Sequence, residues 1–207
     1  MRFQQNPIVR LQQQQQSSID GSENSSIVIP AWTYRLNAST KWLVTLAAVL
    51  GIWTRVPHYQ GPFIVVGSIA SVYFTVVLKQ IINHDRPTGS LLTDPGMPSS
   101  HSLVTFFMAA AWVSKSILSL QGSIAVLMGA SMVALLRVIC GYHSWGQIGV
   151  GAVLGSSMGV AWAKLGVALY NSFPVITVRA SWAFYIMGSA FYIVKDMRDW
   201  LTKDKHI

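Results

Sequence analysis

Three short polar segments, each beside a long apolar run, carry the residue types that bind and attack a phosphate group. The segments are residues 79–87, 98–101 and 137–143. Together they supply three basic side chains, two serine hydroxyls and the imidazoles of His101 and His143. Basic side chains hold phosphoryl oxygens, and an imidazole can attack phosphorus. This inventory predicts a phosphate site at a membrane surface.

The first segment pairs two cations. Lys79 and Arg86 are seven residues apart, about two helical turns, so a helix that continued would place both on one face. Pro87 tends to end such a helix just before itself. Two neighbouring cations need an anion between them, and a phosphate suits the planar fork of Arg and the point charge of Lys. The alternative is that both side chains extend to lipid headgroups.

The second segment has the composition of a helix start. Pro98 suits a first helical turn, and Ser99 and Ser100 are favoured caps. Free backbone N–H groups and a partial positive charge let a helix start bind anions. A bound phosphate would keep His101 protonated and make it a candidate acid. The alternative is simple capping by a serine, with His101 at the water interface.

In the third segment, Arg137 and His143 can approach each other only if the helix is interrupted between them. On a continuous helix Arg137 and His143 would diverge, because six residues rotate by about 240°. Gly141 offers a break that turns His143 back toward Arg137. An imidazole beside phosphate-holding cations is a competent nucleophile, giving a phosphohistidine. The alternative is a structural histidine that caps the following helix.

Composition indicates a membrane domain. Of 207 residues 52% are hydrophobic and 11% charged, against roughly 25% charged in soluble domains. The net charge of +8 comes from thinly spread cations, which favours anionic lipid or a phosphorylated substrate over nucleic acid. Residues 1–30 are rich in Gln and Ser and predict a disordered tail or a transit segment. Residues 31–207 form the predicted membrane domain.

Successive apolar runs predict an all-α integral membrane bundle of about six transmembrane helices, since a spanning helix needs about 20 mostly apolar residues. The predicted spans lie near residues 40–56, 61–82, 102–120, 122–140, 146–170 and 174–194. Gly61-Pro62, Gly122 and Phe173-Pro174 are predicted to mark the connections. In the fifth span, Gly149, Gly151, Gly155 and Gly159 favour close contact with another helix.

Six spans also predict where the polar segments meet. The second and fourth spans end, and the third and fifth begin, on the same side of the membrane, so all three segments lie on that side. Lys and Arg number eleven on this side and four on the other. The positive-inside rule then places the site on the cytoplasmic or stromal side.

The three segments together resemble the type 2 phosphatidic acid phosphatase (PAP2) superfamily. Its pattern is Lys-x6-Arg-Pro, Pro-Ser-Gly-His and Ser-Arg-x5-His-x3-Asp, and this chain has Lys-x6-Arg-Pro from Lys79, Pro-Ser-Ser-His from Pro98 and Arg-x5-His-x3-Gln from Arg137. The resemblance covers about residues 39–195. It implies the helical core shared with the haloperoxidases and a metal-independent phosphatase without a cofactor.

The resemblance also implies a role for each matching residue. His143 would be the nucleophile, and His101 would protonate the leaving oxygen and then act as base. The phosphoryl oxygens would be held by Lys79, Arg86, Ser99, Ser100 and Arg137.

The chain departs from the pattern at three positions. Ser100 replaces Gly, Leu136 replaces Ser, and Gln147 stands where an Asp orients the nucleophile. The carbonyl oxygen of Gln147 can still accept an imidazole N–H. Because a neutral partner stabilises imidazolium less than a carboxylate does, we expect a slower enzyme with the same mechanism.

The Pro-Ser-Ser-His form with Gln resembles the dolichyldiphosphatase-like branch, and residues 39–44 and 94–101 resemble the plant epsilon-type lipid phosphate phosphatases. The expected reaction is hydrolysis of phosphatidate to diacylglycerol in a plastid inner envelope. One alternative is a polyprenyl diphosphate phosphatase of the endoplasmic reticulum, and another is a non-catalytic membrane protein that binds anionic lipid. The expected partners are a lipid phosphate and the membrane, and the sequence leaves the oligomeric state open.

Overall fold

The computed structural model describes residues 30, 32–37, 39–40, 58–88, 90, 92–114 and 118–203, with the backbone alone described at 192–193 and 195–203. All regular structure in these residues is helical, as predicted. Residues 32–37 and 39–40 are helical. Five long helices follow: α1 (Gln60–Ile82), α2 (Ser100–Ser114), α3 (Leu120–Ile139), α4 (Trp145–Ser172) and α5 (Pro174–Lys203).

The five helices correspond in order to the last five predicted spans. Three of them, α1, α3 and α4, are long and apolar enough to cross a membrane. The helix α2 has 15 residues, which is shorter than the span predicted there. Residues 41–56 of the first predicted span and residues 1–29 of the predicted tail lie outside the described part of the chain.

Proline and asparagine set two of the helix ends. Gly61 and Pro62, predicted to mark a connection, instead lie in the first turn of α1, where a proline costs nothing because that N–H has no helical acceptor. Asn83 ends α1 in a left-handed conformation, with φ of 43°, and donates its N–H to the Lys79 carbonyl. The chain therefore leaves the helix before Arg86, and the two cations do not share a helical face.

Small residues bring α2 and α4 into close contact. A side chain at Gly155 or Gly159 would collide with the carbonyl oxygen of Leu103 or Phe107 on α2. Gly151 likewise faces the Ser99 carbonyl, which confirms the predicted close contact for three of the four glycines. The fourth, Gly149, faces open space. This close helix–helix contact fixes the start of α2 against the start of α4.

The apolar core lies nearer the opposite end of the bundle. It is built by residues of α1, α2 and α4: Ile64, Phe107, Ala111, Trp112 and Ala163. Next to it, the Trp162 indole stacks on Phe63 at 4.8 Å and donates its N–H to the Phe63 carbonyl at 2.8 Å. The polar segments at the other end are thus held by helices whose far halves are packed together.

Candidate phosphate-binding active site

The three polar segments converge at one end of the bundle, as the parity of the spans predicted. The end of α1, the start of α2, the end of α3 and the start of α4 meet there. His101 and His143 both lie within electrostatic range of the same three cations, Lys79, Arg86 and Arg137. Two imidazoles and three basic side chains therefore belong to one site.

An acidic residue joins the first two cations. The Lys79 ammonium donates to the Asp94 carboxylate at 2.6 Å, and Arg86 Nη2 donates to both carboxylate oxygens at 2.8 Å. The basic side chains are only 10% and 6% exposed, whereas that of Asp94 is 54% exposed. Neither cation extends to lipid headgroups, so that alternative is wrong. Burial acts to raise the pKa of Asp94, but the hydrogen bonds from Lys79 and Arg86 outweigh it and lower the pKa.

Arg86 also reaches the third segment. Its Nε donates to the Asp94 backbone carbonyl at 2.8 Å, and Nη1 donates to the Tyr142 carbonyl at 2.7 Å. The same Nη1 lies 3.2 Å from Nε2 of His143. One guanidinium thus connects the anion-holding segment to the predicted nucleophile.

The start of α2 contributes Ser99, Ser100 and His101. Ser99 is fully buried, and its backbone N–H donates to the Gln147 carbonyl at 3.1 Å. Among the described residues its hydroxyl finds no hydrogen-bond partner, so the Ser99 side chain does not cap α2. Ser100 and His101 form the first turn and are partly exposed. A buried free hydroxyl beside a helix start is suited to an incoming oxyanion.

A tight turn after α3 brings His143 back toward Arg137. Gly141 has φ of 69°, a left-handed conformation that glycine adopts without strain. The N–H groups of Tyr142 and His143 both donate to the Arg137 carbonyl, at 3.0 and 3.2 Å. The predicted break at Gly141 is therefore confirmed. His143 does not cap α4, because Ser144 is the N-cap residue of that helix.

The Arg137 guanidinium is buried between two neighbours that the sequence analysis did not identify. It lies over the Tyr142 ring at 4.5 Å, and Nη1 donates to the Asn37 side-chain oxygen at 3.1 Å. Among the described residues its Nε has no acceptor. Like the Ser99 hydroxyl, this N–H is a buried donor still able to bind an anion.

Gln147 fixes the orientation of the His143 ring. Its side-chain oxygen lies 3.2 Å from His143 Nδ1 and accepts the Ser144 N–H at 3.1 Å, while its amide nitrogen donates to the Asp85 carbonyl at 2.7 Å. These contacts set the amide orientation, so Nδ1 of His143 is the protonated nitrogen. Nε2 then carries the lone pair, in agreement with its contact to Arg86.

The sequence contains a local signal that Gln147 is held at the start of α4. Ser144 and Gln147 form a capping box at the start of α4, in which each side chain bonds the backbone N–H of the other. Gly96 packs against the Gln147 amide so closely that a side chain there would collide with it. Gln147 is fully buried, and all of its polar atoms are paired.

The environment keeps His143 neutral. Burial, followed by the positive charges of Arg86 and Arg137, lowers the pKa of His143 to about 3, against an ordinary value near 6.5. A neutral imidazole with its lone pair on Nε2 is the form that can attack phosphorus.

The described geometry thus brings all of the predicted site residues to one end of the bundle. Their chemical roles remain predictions. The neighbours that the sequence analysis missed are Asn37, Asp94 and Tyr142.

Comparison with known proteins gives the family. Residues 61–171, more than half of the chain, match the PAP2 superfamily, so the chain belongs to it. It is 30% identical to the lipid phosphate phosphatase epsilon 2, chloroplastic, of Arabidopsis thaliana, over 82% of this chain and 62% of that protein. The epsilon 1 protein of the same plant is 35% identical, over 61% and 48%.

A second group of relatives carries a different name. Dolichyldiphosphatase 1 of Mus musculus is 29% identical, over 58% of this chain and 56% of that protein. The chain therefore spans about half to three-fifths of the length of these curated relatives. No solved structure matches it. Family membership and the apolar helices identify a membrane protein.

Proposed function

We propose that this protein is a lipid phosphate phosphatase that hydrolyses phosphatidate to diacylglycerol and phosphate through a phosphohistidine. The observation that carries the proposal is the contact of His143 Nε2 with Arg86 Nη1 at 3.2 Å, in a site that also holds Lys79 and Arg137. A nucleophile surrounded by buried cations suits a dianionic phosphate monoester.

The first half-reaction transfers the phosphoryl group to the enzyme. Nε2 of His143 attacks phosphorus, and the bond from phosphorus to the lipid oxygen breaks. Burial and the three cations lower the pKa of His101 in the free site, and the negative charge of the bound phosphate opposes this effect. His101 then gives its proton to that oxygen, so that diacylglycerol leaves as an alcohol. Lys79, Arg86 and Arg137 stabilise the charge on the phosphoryl oxygens, with Ser99 and Ser100 as further donors.

The second half-reaction returns the enzyme to its starting state. Water attacks the phosphohistidine, and His101 accepts the proton of that water. The bond between Nε2 and phosphorus breaks, and inorganic phosphate leaves. Throughout, Gln147 holds the Nδ1 proton of His143, which keeps Nε2 directed toward phosphorus.

An apolar groove beside the site favours a lipid substrate. It has a volume of about 220 Å³ and lies between α2, α3 and α4. Its lining includes Ala134, one turn from Arg137, and Ile148, which directly follows Gln147. We assign this groove to an acyl chain of the substrate.

The groove can be tested by filling it. Gly149 lines the groove and has open space around it, so Gly149→Phe is tolerated locally and should raise KM for long-chain phosphatidate about 10-fold. KM for a short-chain, water-soluble analogue should stay unchanged. The matched control is Gly129→Phe, which also points into open space but lies outside the groove lining. Equal effects of both substitutions would contradict the assignment.

The reaction itself is tested with the purified full chain in vesicles. Inorganic phosphate release is measured from phosphatidate, from dolichyl diphosphate and from water-soluble monoesters, with and without chelator. We expect the highest kcat/KM for phosphatidate and continued turnover in chelator, since an imidazole rather than a metal hydroxide attacks. A requirement for added divalent metal would contradict this mechanism.

The names of the relatives support a second candidate. Because some of the relatives are called dolichyldiphosphatase, a polyprenyl diphosphate is the alternative substrate for the same residues. Preferential release from dolichyl diphosphate would select it. A protein that only binds anionic lipid is a third candidate, and equal turnover by folded His143→Ala and wild-type protein would favour it.

The proposed location is a plastid inner envelope, with the site on the stromal side. The chloroplastic names of two relatives and the basic residues near the site support this proposal. The endoplasmic reticulum is the alternative. Fluorescence of the tagged full chain in plant cells, compared with envelope and reticulum markers, distinguishes the two.

A further inference from the structure

The carboxylate of Asp94 bonds two of the cations to which the proposed function assigns the substrate phosphate. Asp94 receives hydrogen bonds from Lys79 and Arg86 at 2.6–2.8 Å, the length expected of charge-assisted bonds. These are two of the three cations assigned to phosphoryl oxygens. A phosphoryl oxygen can bond Arg86 only by replacing one of the acceptors that this guanidinium already has.

The hydrogen bonds of Arg86 favour this competition. A guanidinium has five N–H groups. In Arg86 they bond the Asp94 carbonyl, the Tyr142 carbonyl, Nε2 of His143 and the two carboxylate oxygens of Asp94. Every donor is already in use, so an added phosphoryl oxygen must replace an existing acceptor.

Asp94 is the acceptor that can leave at the lowest cost. Its side chain is 54% exposed, so rotation into water keeps the carboxylate solvated. The Tyr142 carbonyl belongs to the tight turn after α3, and His143 is 2% exposed. The Asp94 backbone carbonyl can remain on Arg86 Nε during this rotation, which keeps the loop attached.

We propose that Asp94 is a resident counter-ion of the anion site, which the phosphoryl group of the substrate displaces from Lys79 and Arg86. This role rests on the proposed function for the identity of the displacing group. Before the substrate binds, the single negative charge of the carboxylate lies between two buried cations and reduces their mutual repulsion. On binding, two phosphoryl oxygens take over its hydrogen bonds.

The proposal makes Asp94 a determinant of affinity and not a catalytic residue. A monoanionic carboxylate competes weakly against a dianionic phosphate monoester and more strongly against a monoanionic diester. The counter-ion therefore favours substrates with a terminal phosphate. Its removal should tighten binding of all phosphate groups.

Binding of inorganic phosphate to the full chain in nanodiscs tests the proposal without any turnover. Asp94→Asn keeps the shape of the side chain and removes the competing charge, so the dissociation constant, measured by ³¹P NMR titration, should fall about 10-fold. The matched control is Asp85→Asn, an equal charge change in the same loop, at a residue that contributes its backbone carbonyl. It should leave phosphate affinity within about twofold of wild type.

Asp94→Ala is the second variant, with helix content and thermal unfolding as the check on folding. Unchanged or weaker phosphate binding in a folded Asp94 variant would overturn the proposal, and so would loss of the fold in both variants, because Asp94 would then be a structural ion-pair residue. Tighter phosphate binding without hydrolysis of any lipid phosphate would retain the counter-ion role and reject the proposed function. Turnover of phosphatidate without tighter phosphate binding in the Asp94 variants would retain the proposed function and reject the counter-ion role.

Discussion

The two halves of the site differ in how firmly their partners are held. The cation half consists of Lys79, Arg86 and Asp94, and its carboxylate is more than half exposed. The nucleophile half consists of His143 and Gln147, which are 2% and 0% exposed and are bonded to each other. Under the proposed function, the exposed carboxylate lets the first half exchange one anion for another, whereas burial and hydrogen bonds hold the second half fixed.

The proposed function gives a chemical reason for this difference. An anion site must release its product, so an exchangeable ionic partner is an advantage there. A nucleophile has to approach phosphorus from one direction, so its ring must not rotate. The capping box at the start of α4 supplies that rigidity, because the residue that orients His143 is also held by the backbone of its own helix.

The largest expected effect comes from removing the nucleophile. His143→Gln should lower kcat by at least about 1,000-fold and abolish the acid-labile phosphoenzyme, because the variant lacks the Nε2 lone pair that is proposed to attack phosphorus. Trapping with ³²P-labelled substrate measures the intermediate. A phosphoenzyme that persists in this variant would assign attack to another residue.

The next effect concerns Arg86, which belongs to the cation half and also contacts His143 of the nucleophile half. Arg86→Lys keeps the positive charge but loses the planar fork that bonds Asp94 and the third segment together. We expect kcat/KM to fall about 100-fold, with kcat and KM both changed. Lys79→Arg is the comparison, since Lys79 contacts Asp94 alone among the described partners, and it should change mainly KM. Equal changes of kcat and KM in the two variants would contradict the distinction between the two halves.

The sequence predicted Lys79, Arg86, His143 and Gln147 of the two halves but not Asp94, and only part of their contacts. Motif spacing identified Lys79, Arg86 and Arg137, and the apolar runs placed them at one end of the bundle. The helix ends were less predictable, because Asn83 ends α1 before Arg86 through a left-handed conformation that no repeat in the sequence signals.

Long-range contacts account for the residues that were missed. Asp94 bonds Lys79, 15 residues away, across a loop with no regular period, so its position depends on the path of that loop. Asn37 bonds Arg137, 100 residues away. By contrast, the Ser-x-x-Gln pattern of the capping box is local, and the role of Gln147 in holding α4 could have been found from it.

A smaller effect is expected when the orienting residue is shortened. Gln147→Ala leaves Nδ1 of His143 and the Ser144 N–H without their acceptor, so kcat should fall about 10- to 100-fold, less than for His143→Gln. KM should change little, because Gln147 does not contact the cations. Gln147→Glu retains the acceptor and should recover part of kcat. A loss from Gln147→Ala as large as that from His143→Gln would contradict a merely orienting role.

The last prediction is that the protonation state of His143 does not change between about pH 5 and 8. With the pKa of His143 lowered to about 3, the ring is protonated only near or below that pH and stays neutral between about pH 5 and 8. In the full chain labelled with ¹³C-histidine, the His143 signal, assigned by its loss in His143→Gln, should not shift across this range. Any acid loss of activity above pH 5 must then come from the substrate phosphate or from another group. A titration midpoint near the ordinary value of about 6.5 would mean that His143 is as accessible to water as the carboxylate of the cation half.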